Sequence, residues 1–249
     1  MLALRRTFDH AINFKEGAEA PWGPIYPISA HQLNELDMYL MKMMAEGKIA
    51  DSESRYSALI LFVPKPDRSL RLVDYRNLNK LTILNKYPLP LMDELRDCVA
   101  GAKVFTKLDL KDRYHLIRMR KGDEHKTAFR TRYGQYEYKD VPFWLGNAPA
   151  AFQTMMNKIL REFLDHGVVV YLDDILIYSE NVEDHTMLVK NVLDRLEQHD
   201  VAVSLKKSVF HHEEVEFLGY IVKTSSVTIR DRKVKRVQNW AHPRSAKEV

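Results

Sequence analysis

The stretch GVVVYLDDILIYS (167–179) sets two adjacent acids, Asp173 and Asp174, between two apolar runs rich in β-branched residues. Such runs favour β-strands, so the pattern predicts a hairpin of two strands with the acids at its turn. Carboxylates this close repel each other, and burial penalises both unless a cation or a hydrogen-bond donor compensates. Either the acids project into solvent at the turn, or a positive group binds them.

For an isolated pair of aspartates the solvated turn is the more common case, because Asp is frequent in turns. A third acid, Asp109, ends the predicted strand KVFTKLD (103–109). Strand ends of one sheet can bring three carboxylates together, and such a cluster holds two divalent cations about 4 Å apart for phosphoryl-type chemistry. The residues alone leave both alternatives open.

Composition limits the functional classes. The chain has 249 residues, 45% of them hydrophobic, enough for one large domain or two or three interlocked subdomains. The net charge of +4 permits nucleic-acid binding without demanding it. Cys98 is the only cysteine, which excludes an intrachain disulfide and suits a reducing compartment. The first residues, MLALRRTFDHAINF (1–14), lack the long apolar region of a signal peptide, and no apolar run is long enough to span a membrane.

Periodicity and turn signals predict a mixed order of elements. A helix begins at Ser29, where Gln32 completes a capping box, and ends at Gly47; Asn147 caps another helix over 148–164. Further helices are predicted around 91–99 and over 184–199 and 231–240. Strands are predicted at 58–63, 70–75, 103–109, 115–119, 126–131, 135–139, 201–205 and 215–222. Without regular βαβ alternation, this order indicates an α+β fold with an antiparallel sheet.

Six segments occur in an order that carries a family resemblance. They are LVDYRNLNK (72–80), KYPLPLMDEL (86–95), GAKVFTKLDLKDRYHLIRMRKGDEHKTAFRTRYGQYEY (101–138), NAPAAFQTMMNKIL (147–160), VVVYLDDILIYS (168–179) and EVEFLGYIV (214–222). Together they closely resemble the reverse transcriptase of gypsy-type LTR retrotransposons, from about residue 9 to the end of the chain.

The resemblance implies a right-hand polymerase fold with an antiparallel palm sheet. It divides the chain into an extended N-terminal arm (1–28), fingers (29–82 and 115–146), palm (83–114 and 147–225, with the catalytic hairpin and the primer grip) and the start of a truncated thumb (226–249). With so short a thumb, poor processivity is expected.

The resemblance also implies roles for individual residues. Asp109, Asp173 and Asp174 match the metal-binding catalytic triad. The residues expected around the incoming nucleotide are Lys65 and Arg71, which hold the triphosphate, Tyr114, the gate that excludes a 2′-hydroxyl, and Arg113, Phe143, Trp144 and Gln153 in the pocket-lining segments. Phe217, Leu218 and Gly219 match the primer-gripping hairpin.

The implied activity is RNA-directed DNA polymerisation. Its cofactors are two Mg²⁺ ions, with Mn²⁺ as a substitute, and its partners are deoxynucleoside triphosphates, an RNA template and a DNA or tRNA primer. The other Pol segments (protease, RNase H and integrase) are missing from this chain, and no membrane partner is expected. Family members act in cytoplasmic virus-like particles.

Several departures from the family pattern fall near the expected site. Arg113 replaces a small residue, and either adds a phosphate contact or fills the pocket. Trp144 replaces a glycine that allows close backbone approach. Gly146 replaces a threonine, and SLRLVDYR (69–76) is one residue short, which reverses the faces of the residues on one side of the loss and affects the role of Arg71.

These departures support the hypothesis of a decaying copy, in which the triad survives while nucleotide binding is impaired. The alternative to an active polymerase is thus an inactive remnant that at most binds nucleic acid or protein. An RNA-dependent RNA polymerase shares the paired acids, but Tyr114 argues against it because a ribonucleotide would clash with that ring.

Overall fold

A computed structural model describes residues 5, 8–22, 27–64, 70–88, 90, 97–111, 113–224, 226–230, 235 and 238–240. The chain forms two compact units. The first unit comprises Met1–Leu89 and Asp112–Lys158, and the second comprises Pro90–Lys111 and Ile159–Val249. Among the described residues, no helix is both long and apolar enough to cross a membrane.

Helices and antiparallel strands alternate irregularly along the described chain, as the sequence predicts. The α-helices are α1 (Ala30–Ala45), α2 (Arg76–Leu81), α3 (Ala148–Ile159) and α4 (Val182–Gln198), and 3₁₀ turns cover Arg113–Leu116 and Glu124–Thr127. The strands are β1 (Ile49–Asp51), β2 (Leu59–Pro64), β3 (Leu70–Asp74), β4 (Val104–Asp109), β5 (Phe129–Thr131), β6 (Gly134–Tyr138), β7 (Val168–Tyr171), β8 (Asp174–Ser179), β9 (Val209–His212), β10 (Glu214–Phe217), β11 (Tyr220–Lys223) and β12 (Ser226–Ile229).

Helix α1 shows how the sequence fixes an element of the first unit. Ser29 and Gln32 form the predicted capping box, since each side chain accepts a hydrogen bond from the other residue's backbone N–H. The buried face carries Leu36, Leu40 and Met43 at helical spacing. Gly47, with φ 71°, follows the last turn as predicted.

The first unit contains the sheet β1-β6-β5 and the hairpin β2-β3. A buried ionic contact attaches the N-terminal arm to this unit. The backbone N–H of Ile12 donates to Asp123 (3.0 Å), and the ammonium of Lys126 donates to the Ile12 carbonyl (2.7 Å). Because Asp123 also accepts from Lys126 at 2.6 Å, its buried carboxylate is compensated, and these contacts hold its pKa below the ordinary value against the opposing effect of burial.

The second unit is built on the antiparallel sheet β7-β8-β4-β9. Strands β4 and β8 run side by side in continuous register from Val104↔Ser179 to Asp109↔Asp174. Both faces of this pair are covered, since Thr106 and Leu108 on one face of β4 and Phe105 on the other are all fully buried. Helix α4 packs against β4 and β8.

A second sheet of this unit, β10-β11-β12, continues the apolar core. Leu218 and Gly219 join β10 to β11 in a two-residue turn, with φ values of 51° and 80°. Positive φ at both central residues matches the right-handed twist of a hairpin. Phe217 and Val222 are fully buried, in one cluster with Phe105 and Leu176 of the larger sheet.

Four predicted elements need correction or division. Residues 115–119 are not a strand: Ile117 and Met119 are buried alternately, but backbone pairing is limited to single bridges, such as Arg118 with Asp140. Helix 148–164 ends at Ile159, although apolar residues continue beyond it. Segment 201–205 is not a strand either, because within it only Val203 forms a bridge. The apolar run 215–222 divides into β10 and β11 at the Leu218–Gly219 turn.

Helix α3 begins directly after Asn147, as predicted, and the Asn147 carbonyl accepts from the N–H of Ala151, but the side chain binds a preceding loop instead of capping the helix. The side chain of Asn147 accepts a hydrogen bond from the backbone of Asn85 and donates one to the carbonyl of Ile83, so it fixes the loop at 83–85. The helices predicted around 91–99 and over 231–240 fall largely outside the described residues.

Candidate active site

The three predicted acids lie together in the second unit. Asp109, Asp173 and Asp174 each offer a carboxylate oxygen, and these oxygens lie within 4.8 Å of one another. All three side chains are half-buried, so water and ions can reach them. Of the two alternatives that the sequence leaves open, the structure shows the gathered carboxylates rather than isolated acids in a solvated turn.

Strand register and the hairpin turn produce this cluster. Asp109 is the last residue of β4 and pairs with Asp174, the first residue of β8. Tyr171 pairs with Asp174 across the hairpin, so the turn consists of Leu172 and Asp173. Strand alternation would point the two adjacent acids in opposite directions, but Leu172 adopts a left-handed φ of 53° and the turn redirects Asp173. A left-handed conformation in a residue other than glycine costs ~1–2 kcal/mol.

The backbone of Asp109 is held by the segment that precedes β9. The N–H of Asp109 donates to the hydroxyl of Ser208 (3.1 Å), and the N–H of Ser204 donates to the carbonyl of Asp109 (2.8 Å). The Ser208 hydroxyl in turn donates to the Ser204 carbonyl (2.8 Å). Sequence reasoning missed these serines, because only the fold brings residues about a hundred positions apart into contact.

One cation already lies beside the triad. The ammonium of Lys107, on β4, is 3.1 Å from an oxygen of Asp174. Its side chain is 21% exposed and that of Asp174 is 22% exposed, so the ion pair is largely shielded from solvent. Sequence reasoning missed Lys107, although its position two residues before Asp109 placed it on the same strand face.

The donor set fits a divalent metal. Carboxylate oxygens are the ligands that Mg²⁺ and Mn²⁺ prefer, and two-metal sites hold their ions about 4 Å apart. Three carboxylates gathered within 4.8 Å could hold a metal ion of this kind. Asp109, Asp173 and Asp174 are the residues that would hold the ions.

A buried histidine network lies across the opposite face of β4. His185, on α4, has no exposed surface. One ring nitrogen pairs with the Thr106 hydroxyl (2.7 Å) and the other with the Ser179 hydroxyl (3.2 Å), so the histidine joins β4 to β8. Burial, and secondarily the ring of His211 at 5.0 Å, lower the pKa of His185 to about 4. No sequence motif marks this network.

Two of the residues predicted to surround the nucleotide, Tyr114 and Phe143, belong to an aromatic cluster of the first unit. Tyr114 contacts Phe143 and Phe152 edge-on, with ring centroids 5.5 and 5.7 Å apart. Phe143 also packs against His115 (5.4 Å). A His115 ring nitrogen is 3.2 Å from an oxygen of the fully buried Asp140, but the two are not aligned for a hydrogen bond.

Trp144 has a backbone conformation that suits glycine. Its φ is 76°, and its side chain is 65% exposed. Asn79 fixes this turn on both sides: its amide donates to the Trp144 carbonyl (2.8 Å), and its side-chain oxygen accepts from the N–H of Gly146 (2.8 Å). Trp144 therefore keeps a left-handed backbone conformation, which suits glycine better than tryptophan.

Four further residues were predicted to surround the incoming nucleotide: Gln153, Lys65, Arg71 and Arg113. Gln153 is fully buried inside α3 and donates to Asn157 (2.9 Å). Lys65 lies outside the described residues. Arg71, on β3, and Arg113, in a 3₁₀ turn, are described in their backbone alone.

The predicted primer-gripping residues form the β10–β11 turn of the second unit. Phe217 is fully buried, so its ring supports the hairpin from inside the core. Leu218 is half-buried against the same core, and Gly219 completes the turn.

Comparisons with known proteins agree with the sequence resemblance. Residues 63–222 match the family described as reverse transcriptase (RNA-dependent DNA polymerase). The chain is similar to the Transposon Tf2-3 polyprotein of Schizosaccharomyces pombe, with 39% identity over 225 residues, which is 90% of this chain and 17% of that protein. It thus spans about a sixth of the length of the curated relatives it matches.

Solved structures show the same fold. The chain is similar to the foamy viral protease-reverse transcriptase dRH in complex with double-stranded DNA, with a TM-score of 0.85, 26% identity and coverage of 100% of this chain and 44% of that one. For the foamy viral protease-reverse transcriptase in complex with an RNA/DNA hybrid, the TM-score is 0.80 at 25% identity, covering 99% of this chain and 34% of that chain. The predicted α+β polymerase fold is confirmed.

Proposed function

Because this chain belongs to the reverse transcriptase (RNA-dependent DNA polymerase) family, as its sequence predicts, we propose that it extends a primer 3′-hydroxyl with deoxynucleoside triphosphates on an RNA template. The observation that carries the proposal is the β4–β8 register, which pairs Asp109 with Asp174 and, with the hairpin turn, gathers three carboxylates within 4.8 Å. A turn of two solvated acids would not need this alignment of two strand ends.

The triad holds two Mg²⁺ ions in this proposal, and Mn²⁺ can replace them. When bound, the ions activate the primer hydroxyl and stabilise the leaving pyrophosphate. The protein supplies the positions of the carboxylates. Ser204 and Ser208 fix the backbone of Asp109, and the Leu172 turn fixes Asp173 beside Asp174.

The nucleotide is bound by residues of the first unit. Tyr114 forms the wall that excludes a 2′-hydroxyl, a role supported by its edge-on packing against Phe143 and Phe152. Phosphates need cations, because a triphosphate carries several negative charges. In this proposal Lys65 and Arg71 bind the triphosphate. Arg113, Trp144 and Gln153 belong to the surrounding segments.

Template and primer contact the second unit through the Leu218–Gly219 turn. Relatives of the chain were solved with double-stranded DNA and with an RNA/DNA hybrid, which supports a primed RNA template as the substrate. The primer is DNA or tRNA. Protease, RNase H and integrase segments of the same polyprotein are the proposed protein partners, and a cytoplasmic particle is the proposed location.

The test is deoxythymidine incorporation on poly(rA)·oligo(dT), first with Mg²⁺ and then with Mn²⁺. Wild-type protein is compared with Asp173→Asn/Asp174→Asn, which removes two carboxylate charges from the triad. Asp194→Asn removes one charge from an exposed position on α4 and serves as the control. Circular dichroism verifies that all three proteins are folded.

Incorporation by wild type and Asp194→Asn, lost in the double variant, is the expected result. Equal incorporation by all three proteins would exclude the triad as the catalytic site. A folded wild type that incorporates nothing with either metal would instead identify the inactive remnant that the departures at Arg113 and Trp144 suggest.

A further inference from the structure

Lys107 is a cation built into the carboxylate cluster. We propose that it is a positioning residue that holds Asp174 when no metal is bound and lowers the affinity of the triad for divalent cations. The inference rests on the metal-binding part of the proposed function. It concerns a residue outside the triad.

The register of β4 and β8 explains why a long side chain is needed there. Lys107 pairs with Leu176, and Asp109 pairs with Asp174. Lys107 and Asp174 are therefore diagonal neighbours, and such positions lie ~7–8 Å apart in an antiparallel sheet, within reach of long side chains only. The lysine spans this distance and brings its ammonium to 3.1 Å from Asp174.

Apolar neighbours of Lys107 are buried, and most of its own side chain is covered as well. Phe105 and Leu176, which share the strand faces of Lys107 and Asp174, are fully buried in the core cluster. With 21% of its side chain exposed, Lys107 keeps most of its aliphatic stem covered. An exposed ion pair contributes little, but this pair is shielded and faces two further carboxylates.

The charges of the site determine whether Lys107 strengthens or weakens metal binding. With all three carboxylates ionised, the cluster within 4.8 Å would carry −3, and the ammonium of Lys107 would reduce this to −2. Without metal, the lysine relieves part of the mutual repulsion. When a dication approaches, the lysine repels it and competes for an oxygen of Asp174, so the same residue that stabilises the metal-free site weakens metal binding.

The test measures metal binding directly, without turnover. Mn²⁺ is titrated into wild type, Lys107→Met and the control Lys190→Met, and free Mn²⁺ is followed by electron paramagnetic resonance. Methionine keeps an unbranched stem and removes the charge, while Lys190 is an exposed lysine on α4 whose loss changes the net charge equally. Lys107→Gln provides a second uncharged variant, and Lys107→Arg retains the charge.

We expect Lys107→Met and Lys107→Gln to bind the first Mn²⁺ about tenfold more tightly than wild type. Lys190→Met and Lys107→Arg should stay within about twofold of wild type, since neither changes the charge beside the triad. The uncharged Lys107 variants should also melt at a lower temperature without metal and gain more from added Mg²⁺.

Unchanged or weaker Mn²⁺ binding in both uncharged variants would overturn the inference, as would an equal gain in Lys190→Met. Failure of the proposed function is a different outcome. In that case wild type and Asp173→Asn/Asp174→Asn would bind Mn²⁺ alike, because the triad would not be a metal site at all.

Discussion

Replacing His185 should remove an acid-sensitive contribution to the stability of the second unit. The ring is fully buried and is held between the hydroxyls of Thr106 and Ser179. Protonation would place a charge inside the unit beside another histidine, His211, which lowers the pKa further. The histidine therefore stays neutral in the folded protein at pH values where it is already protonated in the unfolded chain.

The size of the effect follows from the pKa of His185, which falls from 6.5 to about 4 on folding. Each pKa unit corresponds to ~1.4 kcal/mol, so the contribution is at most ~3 kcal/mol. Between these two values the unfolded state binds more protons than the folded state, and stability rises with pH. The contribution is fully present above pH 6.5 and is lost as the pH falls towards 4.

The assay is urea unfolding of wild type and His185→Gln at several pH values from 7.5 to 4. Glutamine retains a donor and an acceptor for Thr106 and Ser179 but does not titrate. The variant is needed because burial also lowers the pKa of His10, in the first unit, to about 4, and this residue contributes to wild type and variant alike. The difference in unfolding free energy should shrink by up to ~3 kcal/mol on acidification.

A difference between the two proteins that stays constant over this pH range would refute the reasoning. It would mean that His185 is solvated or compensated when protonated. An NMR titration of the His185 ring provides an independent check, since the folded-state pKa should be about 4.

Three further predictions concern single side chains. Trp144→Gly should change the free energy of unfolding in urea by less than ~1 kcal/mol, because relief of the left-handed strain offsets the entropic cost of ordering the added glycine. Combined with Arg113→Ala, the same substitution should lower the nucleotide KM in the incorporation assay. Phe217→Ala should cost ~3–5 kcal/mol in the same unfolding measurement, since the ring is fully buried. Ser29→Ala should cost ~1 kcal/mol and lower the thermal midpoint, through loss of the α1 cap; an unchanged midpoint would contradict the role of the capping box.

Local sequence signals predict the elements that depend on local interactions. The capping box of Ser29 and Gln32 predicts where α1 begins, and apolar runs rich in β-branched residues predict β7 and β8. The same signals fail where contacts between distant segments determine the local structure. Residues 115–119 have the burial alternation of a strand, but their backbone finds partners only at single bridges. Asn147 has the side chain of a helix cap, but the loop at 83–85 uses it first.

The candidate site, too, was predicted only in part from the sequence. The three acids are predicted because each stands at the end of an apolar run, where strand ends meet. The contacts that fix Asp109 were not predicted, since Ser204 and Ser208 become neighbours of β4 only through the fold. Lys107 was in reach of sequence reasoning, because strand alternation alone puts it on the face of Asp109.

The segment TKLD (106–109) gives strand β4 one uncharged face and one charged face. Thr106 and Leu108 are fully buried, and Thr106 meets the His185 network, while Lys107 and Asp109 are half-exposed on the other face beside Asp174. A deletion of one residue before Lys107 would exchange these faces for the residues on one side of it. It would then place a lysine or an acid against the neutral histidine and remove a ligand from the triad. One strand thus couples the stability of the second unit to the geometry of its acids, because the same register serves both faces.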